Sequence, residues 1–419
     1  NVTGAKLNDD AISSQGALGA EPADTDEFLV SDAGTLKRVD YSYIKGLTAA
    51  NFRPNVKPLI INGAMQVRQR SEAATGITSS GYYALDRWKV ENTNGGTWTM
   101  YYNVGALTHQ YGFPESVWMD NTTADASLGA ADNLKIIQRI EAQDCQLLKF
   151  GYSDAETLTL GFWAYSTKTG TYIAELYQTD DDRSCSQSYT ISSTNTWEYK
   201  VLNFPADTTG VIDVNNGTGL TVLFWMAAGT NFTSGTLNTT WGAATSANRA
   251  VGQINCADST SNNFHITGVQ LEVGEFTSST IPSFQHESFG QNLQRCQRYY
   301  CTSVPYGTAP TNGLTACCTG FSSSYYSGGF YMDPVFFPVN MRSTPTASLV
   351  TSENGDAAGM KMSFTRNGSG CGWAYMTAAG SGTWTDNSFS WNGSSFSCGS
   401  FSQDETIVTQ FNYIMEAEL

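Results

Sequence analysis

Charged residues are scarce in this chain of 419 residues, and positive charge is the scarcer kind. The sequence holds 22 Lys and Arg against 38 Asp and Glu, which gives a formal net charge of −16 at pH 7. An excess of negative charge repels phosphate backbones and anionic lipid surfaces. The composition therefore argues against nucleic acid as a partner.

Long apolar runs are also missing. The longest candidate covers only residues 220–229, whereas a helix that spans a bilayer needs roughly 20 apolar residues. Residues 1–10 contain neither a basic segment nor an apolar one, so no secretory signal peptide is visible there. We therefore expect no insertion into a membrane.

Residues suited to acid–base or nucleophilic catalysis are few. The histidines are His109, His265 and His286; they are scattered, and no GxSxG nucleophile motif accompanies them. No phosphate-binding loop of the GxxxxGK or GxGxxG type is present. These absences predict a protein without catalysis and without a cofactor.

One group of acidic residues lies close together in sequence, where Asp180, Asp181 and Asp182 follow Glu175. Two facing carboxylates are what glycoside hydrolysis needs. Consecutive carboxylates also supply oxygen ligands to Ca²⁺, although the spacing is not that of an EF-hand. Because a chain with 38 acidic residues contains such neighbours in any case, we interpret them as a solvated loop and predict no metal site.

Cysteine is present in an odd number, and no pair has the CxxC spacing of a zinc site. We predict that these residues are mostly buried free thiols that pack as small apolar side chains. The nine positions are 145, 185, 256, 296, 301, 317, 318, 371 and 398.

Abundant Gly, Ser, Thr and Asn, with aromatic residues at 12%, favour strands joined by tight turns. The rhythm of strand-like runs predicts an all-β protein built around a β-sandwich. Residues 94–96, Asn-Gly-Gly, lie where a hairpin turn is expected. The predicted strands are 158–166, 172–178, 187–191, 198–204, 220–226 and 264–273.

Near residue 290 the apolar period changes to that of a helix, with Phe289, Leu293, Cys296 and Tyr300 at helical intervals. Ser288 and Gln291 have the spacing of a capping box. The pattern predicts one helix of about three turns that joins the sandwich to residues 303–419, which return to strand-like runs.

The amino-terminal residues 1–55 predict a small hairpin on a lead rich in Gly and Ala. Such a segment has too little apolar content to fold alone and would gain order on a partner or by winding with sister chains. We therefore predict an attachment or trimerisation segment. Its candidate contact residues are Phe28, Leu29, Val30, Leu36, Val39, Tyr41 and Tyr43.

Several stretches together resemble the tail-fibre or carbohydrate-binding-like structural proteins of tailed bacteriophages. The resemblance covers about two thirds of the chain and is most specific at residues 266–300. It implies a jelly-roll domain similar to carbohydrate-binding modules, followed by a helix that ends in CQRYY. The stretches are DEFLVSDAGTLKRVDYSYIKG (26–46), LIINGAMQVRQRS (59–71), ALDRWKV (84–90), SYTISSTNTWEYKVLNFPADTTG (188–210), ITGVQLEVGEFTSSTIPSFQHESFGQNLQRCQRYY (266–300) and FFPVNMRSTPTASL (336–349).

The expected organisation is an attachment segment at 1–55, a jelly roll at 56–285, a linker helix at 286–302 and a second β-sandwich domain at 303–419. Because phage fibres are commonly trimeric, the resemblance implies a homotrimer that contacts other virion proteins through the amino-terminal segment. The expected location is the virion, tail or capsid surface, after assembly in the bacterial cytoplasm. The expected role is host attachment; a decoration protein without a ligand and a capsule depolymerase are the alternatives.

Sugars stack on aromatic rings while polar side chains bind their hydroxyls, so aromatic residues are the candidate ligands. Trp88, Trp163, Trp197 and Trp225 fall in strand-like runs and are interpreted as sandwich core, whereas Trp118 is left open between core and site. The predicted binding residues are in the last segment and are Tyr325, Tyr326, Trp373, Tyr375, Trp384 and Trp391. Core packing or a trimer interface is the alternative for each of them.

Overall fold

The computed structural model describes the chain in twelve stretches, which form two compact units. One unit contains the amino-terminal hairpin, and the other runs from Pro58 to Ser278 and from Ser283 to Leu419. After residue 310, side chains are described at 336–346 and 412–419, and elsewhere in that part the description covers the backbone. The stretches are 22–44, 57–104, 111–310, 318–322, 325–326, 329–331, 335–350, 361–366, 369–375, 380–384, 388–393 and 406–419.

The amino-terminal unit contains the predicted hairpin, formed by strands β1 (Glu27–Asp32) and β2 (Thr35–Asp40). Ala33 and Gly34 both have positive φ, 47° and 84°, which is the backbone of a two-residue turn that follows the strand twist. The predicted contact residues Phe28, Leu29, Val30 and Tyr43 are exposed, Val39 and Tyr41 are half-buried, and the side chain of Leu36 lies outside the described residues.

The second unit is built on a two-sheet jelly-roll sandwich, as predicted. One sheet has seven strands in the order β14-β11-β10-β13-β8-β5-β4, and the other has six in the order β12-β9-β15-β7-β6-β3. The strands are β3 (Ala73–Ile77), β4 (Gly81–Tyr82), β5 (Lys89–Thr93), β6 (Thr97–Val104), β7 (Glu115–Thr123), β8 (Asn133–Glu141), β9 (Leu158–Ser166), β10 (Gly170–Gln178), β11 (Arg183–Ile191), β12 (Glu198–Phe204), β13 (Thr218–Ala228), β14 (Gly242–Ala243) and β15 (Asn263–Val273).

Period-two alternation fills the core between the sheets, because successive side chains of a strand point to opposite faces. In β9 the residues Leu158, Leu160 and Phe162 point into the core, and Phe162 meets Phe224 of β13 with ring centroids 4.9 Å apart. All six predicted strands are present, and β9 and β12 have the predicted bounds.

A bulge at Gly268 resets the alternation of β15. The pairing with β9 shifts between Thr267 and Gln270. Gly268 has φ +59°, and a β-carbon at this position would lie only 2.7 Å from the Phe113 ring, so the site accepts no side chain. The backbone N–H of Val269 donates to the carbonyl of Gly63 at 3.0 Å. Phe264 and Ile266 before the bulge and Val269 and Leu271 after it therefore all point into the core. His265 and Gln270 lie on the opposite, outward face of the sheet.

The Asn-Gly-Gly turn at 94–96 is present, but the expectation of a hairpin there was wrong. Strand β5 pairs with β4 and β8 in the seven-stranded sheet, whereas β6 pairs with β3 and β7 in the six-stranded sheet. Asn94 and Gly96 have positive φ, 49° and 81°. Such residues reverse the chain, but they do not decide whether the next strand joins the same sheet or the facing one.

Short helices lie at the edges of the sandwich. The predicted helix is α2 (Phe289–Gln297), and its capping box between Ser288 and Gln291 is formed. It ends before Tyr300, which begins a strand, so this residue was wrongly placed on the helix. The others are α1 (Thr230–Thr233) and the 3-10 helices Ala142–Leu148, Ser246–Asn248 and Cys256–Asp258.

The carboxyl-terminal part forms two further sheets, centred on β26 and on β25. Strand β26 pairs with β16 and β21 through one half and with β17 and β22 through the other. The strands are β16 (Tyr300–Thr302), β17 (Cys318–Ser322), β18 (Tyr325–Tyr326), β19 (Gly329–Tyr331), β20 (Val335–Phe336), β21 (Thr346–Val350), β22 (Lys361–Arg366), β23 (Ser369–Tyr375), β24 (Gly380–Trp384), β25 (Ser388–Gly393) and β26 (Thr406–Glu416).

Among the described helices, none is long and apolar enough to cross a membrane. The five cysteines whose side chains are described, at 145, 185, 256, 296 and 301, are free and buried, as predicted.

A buried ion network joins the end of β26 to the jelly roll. Arg70 contacts Asp86 at 2.8 Å and Glu418 at 3.1 Å, and Arg87 also pairs with Glu418. The guanidinium of Arg87 lies 3.4 Å from the centroid of the Tyr299 ring. Because these charges are out of water, each depends on its partners for stabilisation.

The network predicts unequal effects for two neighbouring glutamates that both contact Arg70. Replacing Glu418, whose side chain is 5% exposed, leaves Arg87 without its carboxylate and should lower the free energy of unfolding by about 3 to 5 kcal/mol. Replacing Glu416, which is 45% exposed, should cost less than about 1 kcal/mol. Urea denaturation of Glu418→Ala and Glu416→Ala compares them, and equal losses would contradict the network.

Candidate functional site

Aromatic side chains cover the outward surface of the six-stranded sheet. We call this surface the aromatic face. It consists of Tyr101, Tyr111, Trp118, Trp163, Tyr165, Trp197, Tyr199 and His265.

Strand register produces one straight row of rings across four adjacent strands. Tyr101 of β6 lies opposite Trp118 of β7, and Trp118 lies opposite His265 of β15. On the other side, His265 lies opposite Tyr165 of β9. Directly opposite residues on neighbouring strands have their side chains in contact, so the row is a consequence of the pairing.

The rings of this row are in contact along its whole length. The centroid of Trp118 lies 4.9 Å from that of Tyr101 and 5.3 Å from that of His265, with only 12° between the His265 and Trp118 planes. His265 and Tyr165 are 4.7 Å apart. Trp197, which immediately precedes β12, packs against Tyr165 at 5.6 Å and closes the end of the row.

A second, shorter group of rings lies two residues further along the strands. Trp163 of β9 faces Tyr199 of β12, with centroids 5.2 Å apart. Tyr111, which is 40% exposed, stacks on Trp163 at 4.1 Å. Two residues of a strand span about 7 Å, so the two groups are adjacent platforms on one surface.

Unpaired polar atoms are concentrated on the same surface. Four of the buried side-chain atoms without a hydrogen-bond partner in the described structure belong to outward-facing positions of β7 and β15. Buried polar groups are nearly always paired in native proteins. The atoms are the Ser116 hydroxyl, Trp118 Nε1, Asn263 Oδ1 and His265 Nδ1.

His265 is neutral in this environment. Burial lowers the pKa of His265 to about 3, and its side chain is enclosed by Trp118, Tyr165 and Trp197. A neutral imidazole has one donor and one acceptor nitrogen. At neutral pH the uncharged ring can therefore donate a hydrogen bond to an uncharged ligand, but its N–H is too weak an acid to serve as a catalytic proton donor.

The buried histidine gives a pH dependence with a definite sign. Folding lowers the pKa of His265, so the unfolded state binds the proton more tightly. Its contribution to stability is complete above the unfolded pKa of 6.5 and is lost as the pH falls toward 3. Below the unfolded pKa, the loss should approach about 1.4 kcal/mol per pH unit.

Urea denaturation at about pH 7 and about pH 5 measures this loss. We expect His265→Phe, which keeps a flat ring, to lose less stability on acidification than the unaltered protein. His286→Phe changes an exposed histidine and serves as the control. The same acid loss in His265→Phe and in the unaltered protein would contradict the prediction.

The structure corrects the core assignment of three tryptophans and resolves a fourth that the sequence left open. Trp88 is buried in the core between the sheets, as predicted. Trp225 is also fully buried, but it lies in a separate cluster on the outward face of the seven-stranded sheet, so its assignment to the sandwich core was wrong. Trp163 was wrongly assigned to the core: it is half-buried and points outward, because Phe162 occupies the inward position beside it. Trp118, left open by the sequence, is also half-buried on the aromatic face.

Trp197 is buried, but it lies just before β12 and packs on Tyr165 and His265 of the aromatic face, so its assignment to the sandwich core was also wrong. His265 lies in β15 as predicted, His286 is exposed beside Phe113 and Phe284, and His109 lies outside the described residues.

A recognisable signal for the aromatic face was present in β9. Its sequence, LTLGFWAYS, alternates aliphatic or Phe residues with Trp163 and Tyr165. An amphipathic antiparallel strand normally has polar residues at those alternate positions. Large aromatic rings at those positions indicate that the outward face of the sheet is an interaction surface.

The carboxyl-terminal binding candidates have a described backbone only. Tyr325 and Tyr326 form β18, Trp373 and Tyr375 lie in β23, Trp384 ends β24, and Trp391 lies in β25. Their side chains lie outside the described residues, and their assignment as ligand-binding residues stays a prediction.

The acidic group near residue 180 has structural partners. Glu175 is fully buried and accepts hydrogen bonds from Trp225 Nε1 at 2.9 Å and from Arg249 at 2.6 Å, so it is not part of a solvated loop. Asp180 and Asp181 are exposed, and each accepts a backbone N–H from the loop at 211–213. In the described part of the chain, no three His, Cys, Asp or Glu side chains are grouped as metal ligands.

No family model and no curated protein matches the sequence. Several solved structures resemble part of it. The enzymatically active domain of tailspike protein 4 from bacteriophage CBA120 is 14% identical, with a TM-score of 0.25, over 52% of this chain and 21% of that one. The chain thus spans about a fifth of that protein's length.

Two further similar structures are covered almost completely. A putative sugar-binding protein from Bacteroides thetaiotaomicron is 12% identical, with a TM-score of 0.31, over 52% of this chain and 100% of that one. The family 11 carbohydrate-binding module from Clostridium thermocellum, in complex with a mixed-linked tetrasaccharide, is 10% identical with a TM-score of 0.24, over 52% and 99%. At these identities, function has to be argued from the side chains of this chain.

Proposed function

We propose that this protein is a non-catalytic attachment component of a tailed-phage particle and that its aromatic face binds a glycan of the host surface. The observation that carries the binding proposal is the row from Tyr101 through Trp118 and His265 to Tyr165, with unpaired polar atoms within it. The phage context comes from the resemblance at residues 26–46 and 266–300.

A sugar ring matches both components of this surface. Its CH groups pack on the flat side of an aromatic ring, while its hydroxyls both donate and accept hydrogen bonds. Trp118 Nε1 is a donor, the Asn263 oxygen is an acceptor, and the Ser116 hydroxyl is either. Because these atoms are enclosed by neighbouring side chains in the described structure, a ligand forms hydrogen bonds with them only when those side chains move apart.

The neutral state of His265 favours an uncharged section of glycan at the centre of the row. Asp120, on the same side of β7, is half-buried, and burial raises its pKa. A carboxylate or sulfate group would add a second negative charge near this residue without a cation in the row to offset it. An unsubstituted sugar has no such penalty.

The assignment to binding rather than hydrolysis rests on what the acidic residues do. Glu175 is held by Arg249 and Trp225, and Asp180 and Asp181 brace a loop. Each of these carboxylates thus has a structural role. A capsule depolymerase remains the alternative that release of reducing ends from host polysaccharide would favour.

The binding proposal predicts different outcomes at two tryptophans. Trp118→Ala removes the centre of the ring row, and we expect at least about a tenfold loss of glycan affinity, equivalent to about 1.4 kcal/mol. Trp384→Ala tests the carboxyl-terminal site and should leave that affinity unchanged. A glycan array selects the ligand, and calorimetric titration of each folded variant measures its affinity.

If Trp384→Ala abolishes binding and Trp118→Ala does not, the site lies in the carboxyl-terminal part and the aromatic face is not the binding surface. If no glycan binds the unaltered protein, the decoration role without a ligand becomes the better account.

We further propose that the amino-terminal hairpin assembles the chain as a trimer. An isolated two-stranded hairpin is marginally stable in water. This one exposes Leu29 by 70%, and the turn that follows β2 exposes Tyr43 by 69%. In analytical ultracentrifugation, we expect the full chain to sediment as a trimer and the Leu29→Asp variant to sediment as a smaller species. Thr35→Asn, at the exposed first position of β2, is the control. A monomeric full chain would contradict this part.

A further inference from the structure

A cavity of about 350 Å³ opens at one end of the sandwich, beside the 3-10 helix Ala142–Leu148. We call it the valine pocket and define it by Cys145, Phe150, Tyr152, Val211, Ile212 and Val214. Its volume lies in the range of sites that take a small ligand or one large side chain. None of these residues belongs to the aromatic face.

The pocket has a buried apolar floor and an exposed apolar wall. Phe150 and Ile212 are 4% and 6% exposed, whereas Tyr152, Val211 and Val214 are 63%, 47% and 78% exposed. Large hydrophobic residues scattered singly on a surface need no explanation, but a cluster around a concavity marks an interaction site. Three of them share this pocket.

Hydrogen bonds hold the wall in this exposed position. At Val211, the backbone N–H donates to Asp181 at 2.7 Å, and the carbonyl accepts from Gln178 at 2.6 Å. At Asp213, the backbone N–H donates to Asp180 at 2.9 Å, and the carbonyl accepts from Gln146 at 2.9 Å. These four hydrogen bonds hold the backbone at 211–213 so that the valine side chains stay exposed to solvent and do not pack onto the apolar floor. The pocket is therefore preformed.

The rim of the pocket is acidic. Asp154 lines it, and Asp213 lies between the two wall valines in sequence. Asp180 accepts a hydrogen bond from the backbone N–H of Asp213. Lys149, which also lines the pocket, pairs with Asp154 and Glu156 at 3.3 Å and 2.9 Å. The positive charge at the pocket is thus already matched, and the surrounding carboxylates leave a local negative excess.

We propose that the valine pocket docks a basic segment of a partner protein, which inserts one apolar side chain between Tyr152 and the two valines. Cations flanking that side chain complement the acidic rim. A second copy of this chain is disfavoured as the occupant, because it would bring an equal acidic rim and its own net charge of −16. This proposal is independent of glycan binding at the aromatic face.

Fluorescence anisotropy with three short fluorescein-labelled peptides tests the proposal. One alternates Lys with Leu, one alternates Lys with Ser, and one alternates Glu with Leu. We expect the Lys/Leu peptide to bind at least about tenfold more tightly than either of the others, and its affinity to fall as salt is added.

The variant that tests the pocket combines Val211→Ser with Val214→Ser, which leaves the backbone hydrogen bonds in place. We expect it to weaken binding of the Lys/Leu peptide by about tenfold or more. Phe336→Ser removes an exposed apolar side chain of β20 that does not line the pocket, and it should leave peptide binding unchanged. Glycan affinity, measured on the same proteins, should also be unchanged.

Equal binding of the Lys/Ser peptide would show that charge alone is recognised, and equal binding of the Glu/Leu peptide would show that the acidic rim plays no part. Either result overturns the proposal. It is also overturned if the double variant binds like the unaltered protein, or if none of the peptides binds.

Discussion

The candidate site of this protein depends on the fact that a β-strand has two faces. Each strand of the six-stranded sheet uses one set of alternate residues to fill the core, as Val117 and Met119 do in β7 and Phe264 and Ile266 do in β15. The intervening residues must then point outward. Because those residues include Trp118 and His265, the pairing that builds the core also assembles the ring row. The bulge at Gly268 maintains this division along β15.

The two sheets treat their outward faces differently, and this difference favours the aromatic face as the functional one. The seven-stranded sheet also points apolar groups outward, including Ile173 and Trp225, but these are covered by Phe232, Leu237 and Ala250. On the six-stranded sheet, by contrast, Tyr101, Trp118, Trp163 and Tyr165 are half-buried. An apolar surface that the protein's own chain covers has a structural explanation, and one that it leaves open indicates a partner.

Much of the fold could be predicted from local patterns, because strand alternation and helix capping are encoded in short stretches. The bounds of β9 and β12 and the capping box at Ser288 were predicted correctly for that reason. Which sheet a strand joins is a long-range property, and the Asn-Gly-Gly turn between β5 and β6 was misassigned because its local geometry is the same in both cases.

The site was harder to predict than the fold. Aromatic residues suit both cores and binding surfaces, so Trp163 was assigned by its strand-like context and not by its position in the alternation. The row itself joins residues 101, 118, 165 and 265, which are brought together only by the pairing of four strands. The ion network between Arg87 and Glu418 is equally invisible to local patterns, since 331 positions separate its partners.

Hydroxyl-radical footprinting with mass spectrometry, in the absence and presence of a saturating glycan, tests the central claim most directly. If glycan binds at the aromatic face, it will protect Trp118, Trp163 and Tyr165 from oxidation. Oxidation of Trp384 and Trp391 will be the same with and without glycan. Protection of Trp384 and Trp391 with unchanged oxidation of Trp118 would contradict the account and place the glycan in the carboxyl-terminal part.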